Sequence, residues 1–163
     1  MSRDRSLRLL VVCLGNICRS PMAEGALRAR LQAAGLGDRV EVDSAGLGEW
    51  HVGLPPDRRA IACAAGHGVD ISTLRARQVT EADHAAFDVL LCADADVLDA
   101  VRTGSPGGAT AEARLLLEWA GLGGIEVPDP YTLDMDAFEH AWELVDRAAA
   151  GIVERLMAEA PAS

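Results

Sequence analysis

Cys13, Arg19 and Ser20 stand in the stretch "VVCLGNICRSP", spaced Cys-x5-Arg-Ser, where an apolar run gives way to a helical pattern. Their types and spacing suit nucleophilic chemistry on an oxyanion. A helix amino terminus carries about half a positive charge, so an arginine there is unfavourable unless an anion lies between the two. A dianion satisfies both. The guanidinium grips it bidentately, and a loop curled back on itself presents backbone N–H groups as a nest. Gly15 and Asn16, inside the loop, are residue types that tolerate the backbone angles such a curl demands. The same positive field favours the Cys13 thiolate over its thiol. A thiolate beside a phosphate cradle is a nucleophile aimed at phosphorus. Taken alone, Cys13 reads equally as a small buried hydrophobe at a strand end; the combined pattern is far more specific.

These residues need elements to hold them. Residues 9–13 read as a first strand and 21–34 as a helix, closed by Gly35, with Ser20 as its cap and Pro21 in its first position. Residues 40–45 form a second strand, and a Gly/Pro-rich loop over 46–56 leads into a helix at 58–65. After a mixed stretch comes a short helix at 80–86, a third strand at 87–93 and a helix at 94–102 capped by Asp94. Residues 113–119 read as a fourth strand, and 135–158 as a long helix. Strands alternating with helices predict a three-layer α/β fold, a four-stranded parallel sheet with helices on both faces. In such sheets ligands bind beyond the carboxyl ends of strands, which is where the loop after the first strand falls. In the last helix, Phe138, Trp142, Val145, Ala149, Ile152 and Leu156 recur at three- and four-residue spacing, a stripe that predicts packing on the sheet.

Composition narrows the function classes. The 163 residues suit a single domain over 1–163, large enough to bury a real core. A net charge of −10 argues against nucleic acid or an anionic membrane as partner. All 15 cationic side chains are arginine, which excludes lysine chemistry, including a Walker nucleotide loop. No glycine-rich dinucleotide fingerprint occupies the first strand–helix turn. There is no signal-peptide pattern and no run long enough to span a bilayer. Cys13, Cys18, Cys63 and Cys92 read as reduced thiols of a cytoplasmic protein, the last two as inert core. His51, His67, His84 and His140 have no paired ligand spacing, so neither metal nor cofactor is expected. The cluster Asp94, Asp96 and Asp99 lacks the glycine and final glutamate of a calcium loop and reads as a negatively charged helix start.

"CLGNICRS" closely resembles the phosphate-binding loop of the low-molecular-weight protein tyrosine phosphatases. The resemblance extends to "DSAG" at 43–46, "WHVGLPPDRRA" at 50–60, "RARQ" at 75–78 and "DPY" at 129–131, nearly the whole chain. It implies hydrolysis of phosphotyrosine monoesters on proteins through a phosphocysteine. Cys13 would be the nucleophile, Arg19 the phosphate clamp, and Asp129 the acid that protonates the leaving phenolate and then the base for water. Leu14, Gly15, Asn16, Ile17, Cys18 and Ser20 would complete the loop that holds inorganic phosphate or a similar oxyanion. Ser44 would support the loop, and Ser20 would also donate to the Cys13 sulfur. Trp50 and Tyr131 would wall a pocket deep enough to favour phosphotyrosine over phosphoserine. Cys18 would pair with Cys13 in a protective disulfide.

Read locally, "VPDPY" at 127–131 is a proline-stiffened turn with an Asx cap, and Trp50 is ordinary packing at a loop edge. The chain also departs from the family pattern. Leu74 stands where many bacterial members carry histidine, Leu47 replaces threonine, Ala93 methionine, and Thr132 a second tyrosine. These changes bear on rate and substrate preference. Three rivals share the scaffold or the cradle. Arsenate reductases need two further cysteines after the third strand, where Cys92 stands alone. Arginine phosphatases carry threonine where apolar Ile17 stands. A non-enzymatic phosphate-binding module would have no need of an acid at Asp129.

Overall fold

A strand covered on both faces needs an unbroken apolar run rather than alternation, and residues 9–12 supply one. In the computed structural model, which describes residues 6–159, Leu9, Leu10, Val11 and Val12 are almost completely buried in β1 (Leu7–Cys13). The outermost positions of the expected 1–163 domain lie outside the described residues. The chain continues through α1 (Arg19–Ala33), β2 (Val40–Gly46), α2 (Arg58–Gly66), α3 (Asp83–Ala86), β3 (Val89–Cys92), α4 (Ala95–Thr103), β4 (Glu112–Leu115), α5 (Leu116–Trp119) and α6 (Met135–Glu159). The four strands form one parallel sheet in the order β2-β1-β3-β4. On one face Leu9 and Val11 meet α1, α2 and α6. On the other, Leu10 and Val12 meet Phe87 and the Val97 and Val101 side chains of α4. This is the three-layer α/β fold expected from the alternation of elements.

The chain leaves β1 toward β2 on one side and returns to β3 on the other. Strand order therefore reverses at β1, and its carboxyl end is the topological switch point at which such sheets bind ligands. The loop from Cys13 to Arg19 occupies that point.

Two boundaries differ from expectation for physical reasons. Helix α1 begins at Arg19, and Cys18 takes the cap position without a side-chain cap bond. Ser20 lies inside the first turn, and its hydroxyl is engaged by Cys13 and Asn16 instead of the helix amides. The segment 113–119 is strand only to Leu115, which pairs with Cys92, the last residue of β3. Beyond Leu115 β4 has no partner, and Leu116–Trp119 turns helical with Leu116, Leu117 and Trp119 buried. An apolar run alone could not distinguish the two states.

The stripe on α6 packs as its periodicity predicts. Phe138, Trp142, Val145, Ala149 and Ile152 are buried, and Leu156 is half-buried against them. Among the described residues no helix is long and apolar enough to cross a membrane.

Gly151 on α6 meets the carbonyl of Ala120, at the end of α5, so closely that a Cβ there would overlap the oxygen. Gly151→Ala sets a helical gain of about 1 kcal/mol against an overpacking cost of about 1–3 kcal/mol. Backbone cannot step aside as a side chain can, so the clash should dominate. The expected result is a lower urea midpoint at unchanged m-value.

Candidate active site

The loop after β1 owes its shape to where its carbonyls go. The Cys13 carbonyl accepts from Leu47 N at 3.0 Å, Leu14 from Gly48 N at 3.0 Å, and Ile17 from Asp57 N at 2.8 Å. Every described peptide is trans, so each N–H points opposite to the carbonyl of its own peptide unit. The amides of Leu14, Gly15 and Cys18 are thereby turned to the inner side of the loop. Asn16 N donates to Cys13 Sγ at 3.3 Å. Of the two residues expected to take unusual angles, Asn16 does so, with φ 58°, the one non-glycine residue at positive φ among those described. Gly46 ends β2 against the back of the loop. A Cβ there would sit 3.0 Å from Leu14 O, from the Gly15 carbonyl carbon and from Asn16 N, so the "DSAG" glycine permits the contact.

A line of hydrogen bonds runs from a buried carboxylate to the sulfur. Ser44 Oγ donates to Glu24 Oε1 at 2.6 Å. Asn16 Nδ2 donates to both Ser44 Oγ at 3.0 Å and Ser20 Oγ at 2.8 Å. Asn16 Oδ1 accepts from Arg77 N at 3.0 Å, which fixes the orientation of the amide, since a backbone N–H can only donate. Ser20 thus receives a hydrogen bond, and its own proton is free to point at Cys13 Sγ, 2.9 Å away. Burial pushes the Glu24 carboxyl above its usual range, opposed by the Ser44 hydrogen bond and by Arg28 at 2.7 Å. Glu24 is absent from the sequence reading. Its signal was an acid one turn after Ser20, flanked by the apolar Met22, Ala23, Ala26 and Leu27 of the buried side of the helix. Leu74, at the position of the family histidine, packs half-buried on the core.

Arg19 is 3% exposed. Its Nη1 donates to Asp94 Oδ2 at 2.6 Å and to the Val127 carbonyl at 3.0 Å, and its Nη2 lies 3.7 Å from Asp129 Oδ2. Burial works against the charge. The Asp94 hydrogen bond and the fields of Cys13 and Asp129 outweigh it and hold the guanidinium pKa above its ordinary value. Asp94 has the cap role assigned to it, accepting from Val97 N at 2.8 Å with Oδ1. Its second oxygen, on Arg19, went unrecognised because a cap explained the residue completely.

Asp129 Oδ1 accepts from Tyr131 N at 3.1 Å, so the Asx turn is present, while Oδ2 faces Arg19. One carboxylate serves both readings of "VPDPY". The segment is held by Arg59, which donates to the carbonyls of Tyr131 and Leu133 at 2.7 Å each and to both oxygens of Asp57 at 3.0 Å. Arg59 holds the Asp57 carboxyl below its usual range, and Asp57 caps α2 by accepting from Arg59 N at 2.9 Å.

Cys13, Arg19 and Asp129 line one cavity of about 280 Å³, with Ile17, Trp50 and Tyr131 on its walls. Trp50 is 66% exposed, which does not fit ordinary packing. His51, considered from sequence only as a metal ligand, joins the wall, its ring 6.0 Å from that of Tyr131. A larger groove of about 680 Å³ beside β2 is lined by no cysteine, serine, threonine or histidine. All four cysteines are free thiols. Burial, followed by the field of Asp57, drives Cys18 far above the ordinary thiol range. Burial likewise pushes Cys63 and Cys92 up to about 12.

Asp94→Asn keeps a competent cap on α4 and removes the charge that compensates a buried arginine. An expected loss of about 3 kcal/mol in urea unfolding would exceed the effect of losing a cap alone; a loss within 0.5 kcal/mol, roughly the scale of a neutral surface change, would show that the pair does not carry the site.

The family profile of the low molecular weight phosphotyrosine protein phosphatases matches residues 8–162. A low molecular weight protein-tyrosine-phosphatase of Streptomyces coelicolor is 43% identical over 150 residues, covering 90% of this chain and 91% of that one. The crystal structure of YfkJ from Bacillus subtilis superposes with a TM-score of 0.88 at 32% identity, covering 98% of this chain and 99% of that chain. Wzb of Vibrio vulnificus, solved in complex with benzylphosphonate, gives 0.80 at 32% identity, covering 91% of this chain and 98% of its own. With the cysteine loop, its arginine and the carboxylate gathered at the switch point of this fold, the chain belongs to the low-molecular-weight phosphotyrosine protein phosphatase family.

Proposed function

We propose that this protein hydrolyses phosphotyrosine monoesters on proteins in two steps that share one phosphocysteine intermediate. The observation that carries the reading is the common cavity of Cys13, Arg19 and Asp129, with Ser20 and Asn16 N on the sulfur. The phosphoryl dianion binds between the loop amides and the Arg19 guanidinium. Cys13 attacks phosphorus as a thiolate, and the bond to the tyrosine oxygen breaks. Asp129, protonated at this stage, gives its proton to the leaving phenolate. In the second step the Asp129 carboxylate takes a proton from water, which attacks phosphorus and releases inorganic phosphate and the thiolate. The Ser20 hydroxyl donates to the sulfur as negative charge returns to it. Oriented donors that need no rearrangement stabilise developing charge in both steps.

Trp50 and Tyr131 flank the entrance, and apolar Ile17 suits a phenyl ring better than a charged guanidinium. Supporting this against an arsenate-reducing relay, Cys92 is fully buried with its thiol on the Leu90 carbonyl at 3.8 Å. Against a purely binding role stands Asp129, a half-exposed carboxylate beside the clamp. We infer a single catalytic domain over 1–163 that works in the cytoplasm without metal or cofactor, on a phosphotyrosine protein; nucleic acid and membranes are not partners in this reading.

Wild-type protein should turn over p-nitrophenyl phosphate, with phosphate and vanadate competing, and Cys13→Ser should abolish turnover. On phosphotyrosine peptide, Asp129→Ala should lower kcat by about 10²–10⁴-fold. Well-folded wild type without turnover would favour the binding module, and faster cleavage of phosphoarginine than phosphotyrosine peptide would overturn the substrate class.

We infer that the Cys18 thiol, which lines the same cavity as Cys13, condenses with a Cys13 sulfenic acid, releasing water and forming a disulfide. After peroxide treatment, a thiol reductant should restore wild-type activity but not that of Cys18→Ser, whose Cys13 proceeds to sulfinic acid. Equal recovery of the two proteins would remove Cys18 from this role.

A further inference from the structure

A second group of chemically capable side chains is assembled away from the phosphate loop. Cys63 lies on α2, His67 caps that helix, and Glu139 stands near the start of α6. Cys63 Sγ, a ring nitrogen of His67 and a Glu139 carboxylate oxygen all lie within 4.8 Å of one another. His67 Nε2 and Glu139 Oε2 are 2.7 Å apart. The imidazole stacks on Trp142, ring centroids 5.2 Å apart and planes inclined by 14°, which sets the ring plane while Nε2 meets the carboxylate. Cys63 is 2% exposed, whereas the His67 and Glu139 side chains are 43% and 47% exposed. The group therefore has a buried sulfur floor and an entrance from solvent.

We propose that Cys63, His67 and Glu139 form a site for a thiophilic divalent cation of the zinc class, with water completing a four-coordinate shell. The donor set is the first argument. Sulfur with imidazole suits zinc and its neighbours in the transition series, whereas magnesium and calcium demand oxygen shells. Charge is the second. One thiolate and one carboxylate neutralise a dication, with the imidazole neutral. Geometry is the third. Tetrahedral coordination at ordinary bond lengths sets donors about 3.3–3.6 Å apart, and rotation of two half-exposed side chains reaches that spacing. Asp136 and Glu143 line the surface depression that His67 and Glu139 share and attract cations, whereas the charge of Asp146 there is paired with Arg30 of α1.

Binding exchanges the Cys63 S–H bond for a sulfur–metal bond and releases the proton to solvent, with no change of oxidation state. A catalytic Cys–His–Glu triad fits less well. The Nε2 that would accept the thiol proton already meets Glu139, and the sulfur is closed to substrates, with its thiol on the Phe138 carbonyl at 3.6 Å. A bound ion would clip the carboxyl end of α2 to α6. The sequence conceals the set because its histidines are unpaired and Glu139 lies 72 residues from His67.

The inference is independent of the phosphatase activity, and its readout avoids turnover because the Cys13 thiolate also attracts thiophilic ions. Chelator-washed full-length protein is titrated with Co2+ alone. About one ion per chain should bind with thiolate-to-cobalt charge-transfer absorption, and Zn2+ should displace it and raise Tm. The band should survive Cys13→Ser and disappear in Cys63→Ser. Should Cys63→Ser fail to fold, the surface variants His67→Ala and Glu139→Gln decide, each expected to weaken Co2+ binding by at least about tenfold. No band in wild type, a band lost with Cys13, or unchanged affinity in both surface variants would overturn the assignment.

Discussion

A guanidinium buried from water is the constraint around which the rest of this molecule is arranged. An ion with so little solvent would cost several kcal/mol if left uncompensated. Here Asp94 meets it at 2.6 Å, the Val127 carbonyl at 3.0 Å, and Asp129 stands at 3.7 Å. Those three partners come from two separate segments, Asp94 from one and Val127 with Asp129 from the other. Holding Arg19 in place therefore fixes the amino end of α4 and the segment carrying the acid relative to the loop that begins at Cys13. The helix dipole that disfavours Arg19 is the same field that, together with Arg19, suits a bound dianion.

The sheet supplies the frame for these positions. Strand β1 delivers Cys13 and β2 delivers Ser44 and Gly46. Beyond β3, Ala93 N donates to the Val12 carbonyl at 3.0 Å, and Val127 N to the Ala93 carbonyl at 2.9 Å. The ladder thus extends past the last paired strand residues and carries the 127–129 segment to the nucleophile. Side chains 116 positions apart in sequence, Cys13 and Asp129, line one cavity through this short run of backbone hydrogen bonds.

Legibility in the sequence followed the range of the interactions. The strand–loop–helix unit around Cys13 was readable because its signals lie within eight residues and one of them, Arg19, breaks a local rule. The four strands and the stripe on α6 were readable from apolar runs and periodicity. Asp129 was not separable from other carboxylates by residue type; only resemblance singled it out. Glu24 and the second oxygen of Asp94 escaped because a buried acid and a helix cap are each unremarkable until the partner is seen. The end of β4 was misplaced because a ladder's length is decided by the neighbouring strand, and β3 stops at Cys92.

Asp57 and Arg59 sit at one end of α2 yet hold both halves of the chemistry. The Asp57 amide binds the Ile17 carbonyl of the phosphate loop, while Arg59, gripped by the Asp57 carboxylate, binds the Tyr131 and Leu133 carbonyls. The two loops consequently share a single mount. A shift of α2 would carry both loops with it, instead of altering one side of the interval between sulfur and carboxyl alone.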